Sequence, residues 1–228
     1  MKKIAILQSN YIPWKGYFDL IASVDEFIIY DEMQYTKNDW RNRNKIKTPT
    51  GVSWITIPVR VEKLSQTINQ TQISNNNWVT KHIKTLQANY AKAKYFKNHK
   101  DFVFDLYHQA SKTSSLSEIN FIFIENICNF LNIKTKLSFS TDYNLIEGKT
   151  ERLIDLIKQS KGTSYISGPA AKSYIDENLF NDNNLNLEWM DYSKYKEYNQ
   201  LYPPFEHGVS ILDLIFNEGE NSSNFLTH

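Results

Sequence analysis

Two short apolar runs near the start of the chain, Ile4-Ala5-Ile6-Leu7 and Phe27-Ile28-Ile29-Tyr30, constrain the fold more than any other feature. Neither run contains a charged or amide side chain, the pattern of strands covered on both faces and hence of a parallel sheet. Between them, after Pro13, the segment Tyr17 to Ser23 carries Phe18, Ile21 and Ala22 at helical spacing. Strand, loop, helix and strand make a β-α-β unit of about thirty residues. A right-handed crossover opens the C-termini of both strands onto one edge. Gln8 to Asn10 and Asp31 to Gln34 then share a crevice, the usual ligand position in an open parallel sheet.

The rest of the chain extends this architecture. Asn44 to Lys47 and Trp54 to Val59 read as a hairpin about the turn at Pro49, Thr50 and Gly51. Helical spacing over Trp78 to Tyr90, Asn98 to Gln109 and Glu118 to Leu131 predicts a mainly helical insertion around 78–131, the last helix starting behind a Ser-rich cap at Ser114 to Ser117. Further strands are expected at Thr135 to Ser140, Tyr165 to Ser167 and Leu185 to Met190, and helices from Lys149, over Lys172 to Glu177 and over Ser210 to Asn217. No composition break divides the 228 residues, so one α/β domain over 1–228 is expected, a Rossmann-like, mostly parallel sheet with an added helical layer.

Composition narrows the function classes. A net charge of +1 shows no electrostatic bias, which argues against bulk nucleic-acid binding. The single cysteine, Cys128, permits no disulfide within the chain and fits a reducing cytosol; Ile124, Ile127 and Leu131 around it read as a buried structural thiol. The apolar run after Met1-Lys2-Lys3 stops at Gln8, too short for a signal peptide, and no stretch approaches the ~18 apolar residues of a membrane span. The expected partner is a small molecule, phosphorylated or nucleotide-linked, and a homodimer is the expected assembly. The histidines show no metal-ligand spacing, and no motif names a cofactor.

Four constellations could carry chemistry. The loop from Gln8 through Asn10, Tyr11 and Trp14 to Tyr17 sets amides and aromatics beside a helix N-terminus, which favours an anion. The run from Asp31 through Gln34, Lys37, Trp40, Arg41, Asn42, Arg43 and Asn44 brings basic and amide groups together. Its guanidinium forks suit phosphate or carboxylate oxygens, and Asp31 stands at a strand end as a base or a cap. Ser167, Gly168 and Lys172 form a second strand-to-helix turn of small residues, without Walker or dinucleotide glycine spacing. Glu206 and His207, after Pro203 and Pro204, could serve as acid and base.

Taken together, the segments QSNYIPWKGYFDLI, YDEMQYTKNDWRNRNKIKTP, YISGPAAKSYI and HGVSILDLIFNEG resemble the bacterial WbqC-like family over essentially the whole chain. The second segment is the most specific. The resemblance implies a role in surface-polysaccharide (O-antigen) biosynthesis, with glycine, other aminoacyl or acyl transfer to a sugar. This chain has Leu7, Gln8 and Ser9 where many members carry His-Gln-Pro, so a mechanism built on that histidine does not carry over. A more distant similarity links Trp14-Lys15-Gly16-Tyr17 to the helix start of HIGH-type nucleotidylyltransferases. Both signature histidines are missing, which leaves the fold as the expectation.

The expected function is a transferase acting on an amino-sugar nucleotide or related activated metabolite. Lys37, Arg41 and Arg43 would hold phosphates, Gln8, Asn10 and Tyr11 would orient the acceptor, and Asp31 or His207 would move the proton. An ATP-dependent nucleotidyltransferase or ligase and a non-catalytic scaffold are the alternatives.

Overall fold

The computed structural model describes residues 1–228. Its centre is a five-stranded sheet of β1 (Lys3–Leu7), β2 (Glu26–Ile29), β7 (Lys136–Phe139), β8 (Ser164–Ser167) and β9 (Asn186–Trp189). They lie side by side in the order β7-β2-β1-β8-β9, every neighbour parallel. Chain order therefore runs outward from the centre in both directions, as in Rossmann-like folds, and the reversal falls between β1 and β8.

Strand alternation divides the apolar residues between two cores. Ala5, Phe27, Ile29 and Ile166 face a large core shared with α1 (Lys15–Ala22), α2 (Asn77–Tyr90), α3 (Phe96–Ala110), α4 (Leu116–Phe130) and α7 (Ile211–Glu218). Ile4, Ile6, Ile28 and Tyr165 face a smaller core with α5 (Thr150–Gln159) and α6 (Glu177–Asp182). Each buried Ile or Phe among them contributes about 1.5–3 kcal/mol, which is why the strands carry an unbroken apolar run. Cys128 is buried in the large core, and its thiol is pushed up to about 12 by that burial.

The expected hairpin forms between β3 (Arg43–Thr48) and β4 (Gly51–Thr56) and buries Ile46 and Ile55. Its second strand starts at Gly51 and ends at Thr56 instead of spanning Trp54 to Val59, because only Thr48 to Gly51 make the turn. Two backbone bonds, Ser210 N–H to the Lys45 carbonyl (2.9 Å) and Ile211 N–H to the Pro13 carbonyl (2.8 Å), bring the start of α7, the hairpin and the first loop together. The helix expected over Lys172 to Glu177 is instead a single tight turn at Pro169–Ser173, and α6 begins at Glu177. The reason is local: the Asp176 carboxylate accepts from Asn178 N–H (3.0 Å) and caps the later helix. A two-residue pairing of β5 (Val59–Arg60) with β6 (Gln72–Ile73) was too short to leave a periodic signal.

At the N-terminal end of the sheet, the buried Glu26 carboxylate accepts from Lys2 (2.6 Å), Lys136 (2.8 Å), Ser138 (2.7 Å) and Tyr143 (2.6 Å), tying β1, β2 and β7 together. Burial pushes this carboxyl up, but the hydrogen bonds from Lys136, Lys2, Tyr143 and Ser138 outweigh it and hold it at about 2. An acid held below its unfolded value adds stability that is present above about pH 4.5 and is lost as the pH falls toward 2. Glu26→Gln is expected to cost about 1–3 kcal/mol at neutral pH. Urea unfolding of the variant from pH 5 to 2 should show a shallower loss than the parent chain.

Candidate functional site

Where β1 ends, the chain turns polar, and its first bonds go inward. The Asp31 carboxylate accepts from the Ser9 backbone N–H (2.8 Å), from the Ser9 hydroxyl (2.7 Å) and from the Ser117 hydroxyl. Asn120, one turn further along α4, donates to the Ser9 hydroxyl and to the Arg41 carbonyl, each at 2.9 Å. Asp31 is 3% exposed and all these donors are protein groups, so its carboxylate joins the ends of β1 and β2 to α4 and is not presented to solvent. Ser9, Ser117 and Asn120 had no signal of their own in the sequence, being ordinary polar residues whose burial only the packing reveals.

Above this anchor, Arg41 turns back over the strand ends. Its guanidinium donates to the Asn10 side-chain oxygen and, at 3.3 Å, to the Gln8 side-chain oxygen; Asp39 lies 3.7 Å away. The Tyr17 hydroxyl, from the buried face of α1, donates to the Gln8 carbonyl (3.0 Å). The expected approach of Arg41 to Gln8 and Asn10 is therefore present. Arg43 goes elsewhere: it donates to the Asn38 carbonyl and its guanidinium lies 4.0 Å from the Trp54 ring centroid.

Two cavities open beside the partners of Arg41, one lined by Gln8 and the other by Asn10. The larger, of about 740 Å³, lies over the C-terminal ends of β1, β2 and β8, with Gln8, Tyr30, Met33, Tyr165 and Tyr174 in its walls. Its far wall is the start of α5, namely Glu147, Gly148, Lys149, Arg152 and Leu153. Gly148 has φ of 104°, where a side chain is strained, and an added Cβ would also overlap Glu151. The Arg152 guanidinium is braced by the Ile146 carbonyl and the Tyr30 hydroxyl (2.9 Å), whereas the Lys149 ammonium bonds to no protein group. Two cations and one carboxylate at an open helix N-terminus make this wall attractive to an anion. Tyr174 is 58% exposed at the rim; partial burial raises its phenol, and the nearby Arg41 charge opposes that rise.

The smaller cavity, of about 240 Å³, is lined by Asn10, Pro13, Trp14, Trp40, Asn44 and Gly208. Its floor is the strained end of the first loop. Ile12 sits at φ of 37°, unusual for a β-branched residue, and the buried Asn44 amide holds it by donating to the carbonyls of Tyr11 (3.0 Å) and Ile12 (2.9 Å). His207 stands beside Gly208, edge-on to Phe205 at 4.6 Å, with Nδ1 buried and unpartnered. Burial and the Lys15 charge lower its pKa against the opposing pull of Glu197 and Glu206.

The remaining expected residues fall outside both cavities. Tyr11 is wholly buried, because its ring fills the core between Trp78 and Phe123; this differs from the expected role in orienting an acceptor. Asn42 is buried and donates to the Ile57 carbonyl (2.8 Å), and Gln34 donates to the Leu64 carbonyl (2.7 Å). Lys37 is exposed and lines neither cavity. Ser167 and Gly168 end β8 below the Pro169–Ser173 turn, and Lys172 lies over Trp189 (5.4 Å) at the far side of that turn. In the sequence Lys149 and Arg152 stand only at a helix start, Gly148-Lys149-Thr150 before an apolar helical run, and nothing local places that start over the sheet.

Fold and site together define a Rossmann-like α/β protein with its cavities over the carboxyl ends of the strands. The chain belongs to the WbqC-like protein family, whose pattern it matches over residues 8–225. It is 49% identical over 229 residues to the uncharacterized protein Rv1507c of Mycobacterium tuberculosis (strain ATCC 25618 / H37Rv), a match covering 100% of this chain and 99% of the relative. No solved structure gives a significant match.

The wall behind the first loop is itself pH-sensitive. The Tyr11 hydroxyl lies 2.8 Å from both the Tyr107 hydroxyl and His82 Nδ1, and His82 Nε2 is 3.2 Å from the Thr56 carbonyl, which can only accept. The neutral ring therefore carries its proton on Nε2. Burial, partly opposed by the Thr56 bond, lowers His82 to about 4, so the unfolded chain takes up the proton first. Stability is expected to fall by roughly 3 kcal/mol as the pH drops from about 6.5 to about 4. Urea midpoints of the parent chain and of His82→Gln across that window should differ in slope, the variant being the flatter.

Proposed function

We propose that the protein is a transferase of surface-polysaccharide biosynthesis that binds an amino-sugar nucleotide or related activated metabolite in the 740 Å³ cavity. The observation that carries this reading is the pairing, in one cavity at the point where strand order reverses, of a cationic wall with an aromatic one. Lys149, Arg152 and the first-turn amides of α5 would take the phosphates; Tyr174, exposed at the rim, would take the base. Gln8, which has one amide face toward the cavity wall and its oxygen on Arg41, would orient the reacting end. Arg41 would stabilise negative charge developing there. His207, next in sequence to Gly208 of the adjoining cavity and with Nδ1 unpartnered, is the candidate for proton transfer, and Asp31 serves by positioning Ser9 and the loop. The family's link to polysaccharide assembly supports the assignment of the acceptor as a sugar, with aminoacyl or acyl transfer as the reaction.

A ligand at a hundredfold excess over its Kd stabilises the native state by about 2.7 kcal/mol, so nucleoside diphosphates and sugar nucleotides should raise the Tm by several degrees. Lys149→Ala leaves no protein group unpaired, and it should weaken nucleoside diphosphate binding about tenfold. Stabilisation by ATP with magnesium and release of pyrophosphate, with no response to sugar nucleotides, would instead identify nucleotidyl transfer. An affinity unchanged in Lys149→Ala would remove the phosphate wall from the site.

A further inference from the structure

The smaller cavity differs in chemistry from its neighbour. Asn10, Pro13, Trp14, Trp40, Asn44 and Gly208 line it, and none of them is charged. The nearest cations are already engaged, Lys45 against the Trp40 (5.8 Å) and Trp54 (5.4 Å) rings and Arg41 on the Asn10 oxygen. A charged ligand would therefore give up hydration without meeting a free partner in the lining, and the cavity suits a neutral one. At about 240 Å³ it falls below the range of about 300–1,000 Å³ usual for larger small-molecule ligands, which limits the occupant to about one ring.

Its walls are rigid and flat. The Trp14 indole is folded back over Gly16 so closely that a Cβ there would lie 2.3 Å from the ring. Tyr192 (5.0 Å) and Tyr195 (5.8 Å) meet the same indole edge-on, which leaves it no other place. Trp40, packed on Trp54 at 5.1 Å and 39% exposed, forms the open side. Indole faces held this way match the C–H faces of a saccharide ring. The polar contact is Asn10: its oxygen is taken by Arg41, and its amide nitrogen has no protein acceptor. Asn44, by contrast, is spent on the Tyr11 and Ile12 carbonyls.

The two cavities are also neighbours. Gln8 lines one and Asn10 the other, two residues apart, a separation of at most about 7 Å along an extended chain. Arg41 bonds to both.

We propose that the 240 Å³ cavity is a second ligand site, selective for a single uncharged, hydroxyl-bearing sugar ring, and that Arg41, bonded to a wall residue of each cavity, couples it to the larger one. The site's occupancy stands on its own geometry; that its ligand is the partner of the one in the larger cavity rests on the transferase reading. Because Arg41 holds a wall residue of each cavity, filling one alters the other, and the effect on affinity is reciprocal.

The test is a titration of the full chain with methyl glycosides of neutral hexoses and N-acetylhexosamines, read by tryptophan fluorescence and heteronuclear NMR. Uridine and guanosine diphosphates are titrated separately and together with the glycoside. A glycoside should change the fluorescence, and the exposed Trp40→Ala should weaken its binding at least tenfold while retaining the parent's unfolding midpoint within a few degrees. Lys149→Ala should keep glycoside affinity within twofold while losing nucleotide affinity. Saturating glycoside should change nucleotide affinity, and nucleotide should change glycoside affinity by the same factor, with Arg41→Lys reducing that factor. No glycoside response in a chain that binds nucleotide overturns the second site, as does a response that Trp40→Ala leaves intact or a preference for neutral amino acids over glycosides. Independent binding of the two ligands overturns the role of Arg41. Glycoside binding without nucleotide binding refutes the larger-cavity reading and leaves the second site standing.

Discussion

The geometry of the strand ends depends on one buried carboxylate. Asp31 has no cation against it; three hydroxyl or amide donors from Ser9 and Ser117 take the place of water around its charge. A charge buried in this way is tolerable only while its donors stay in place, so the same requirement that satisfies Asp31 also fixes the loop after β1 and the first turn of α4. Asn120 extends the lock to the Arg41 backbone. With the inner faces of these segments committed, Gln8, Asn10 and the Arg41 guanidinium are left on the outer side. That is preorganisation: groups at the strand tips are held by bonds they do not themselves need for a ligand.

Above the lock, charge is separated in space. The α5 start brings Lys149, Arg152 and Glu147 to the larger cavity, whereas the walls of the smaller one are indoles, amides, proline and glycine. Both contact the first loop, which leaves β1 at the carboxyl end of the parallel sheet, next to the point between β1 and β8 where strand order reverses. The hairpin β3-β4 and the start of α7 then close the smaller cavity from the other side through Trp40, Asn44 and Gly208.

Much of this is legible in the sequence. Ile4 to Leu7 and Phe27 to Tyr30 have the pattern of doubly covered strands, and their parallel pairing brings Gln8 and Asp31 to one edge. Trp14, Trp40, Arg41 and Asn10 do meet around the first loop. Tyr11, Asn42 and Asn44 looked equivalent to them, yet these turn inward. Asn44 falls on the Ile46 side of β3, opposite Arg43 and Lys45, Asn42 just before the strand is held by the Ile57 carbonyl, and the Tyr11 ring fills the core against Trp78 and Phe123. Lys149 and Arg152 lay more than a hundred residues away and looked like the polar face of an amphipathic helix. Only the position of α5 beside β1 makes them cavity walls.

The sequence by itself determined the layered α/β architecture, the doubly covered strands and the edge of the sheet at which polar side chains would gather. These follow from local periodicity and from the handedness of the crossover, both properties of short segments. The tertiary structure alone decided which polar residues face a cavity and which satisfy the interior, that Asp31 became an anchor, and that Arg41 and Arg43, two positions apart, took opposite tasks. Those outcomes depend on donors and acceptors supplied by distant segments, Ser117 and Asn120 from α4 and Trp54 from the hairpin, whose arrival no local pattern encodes.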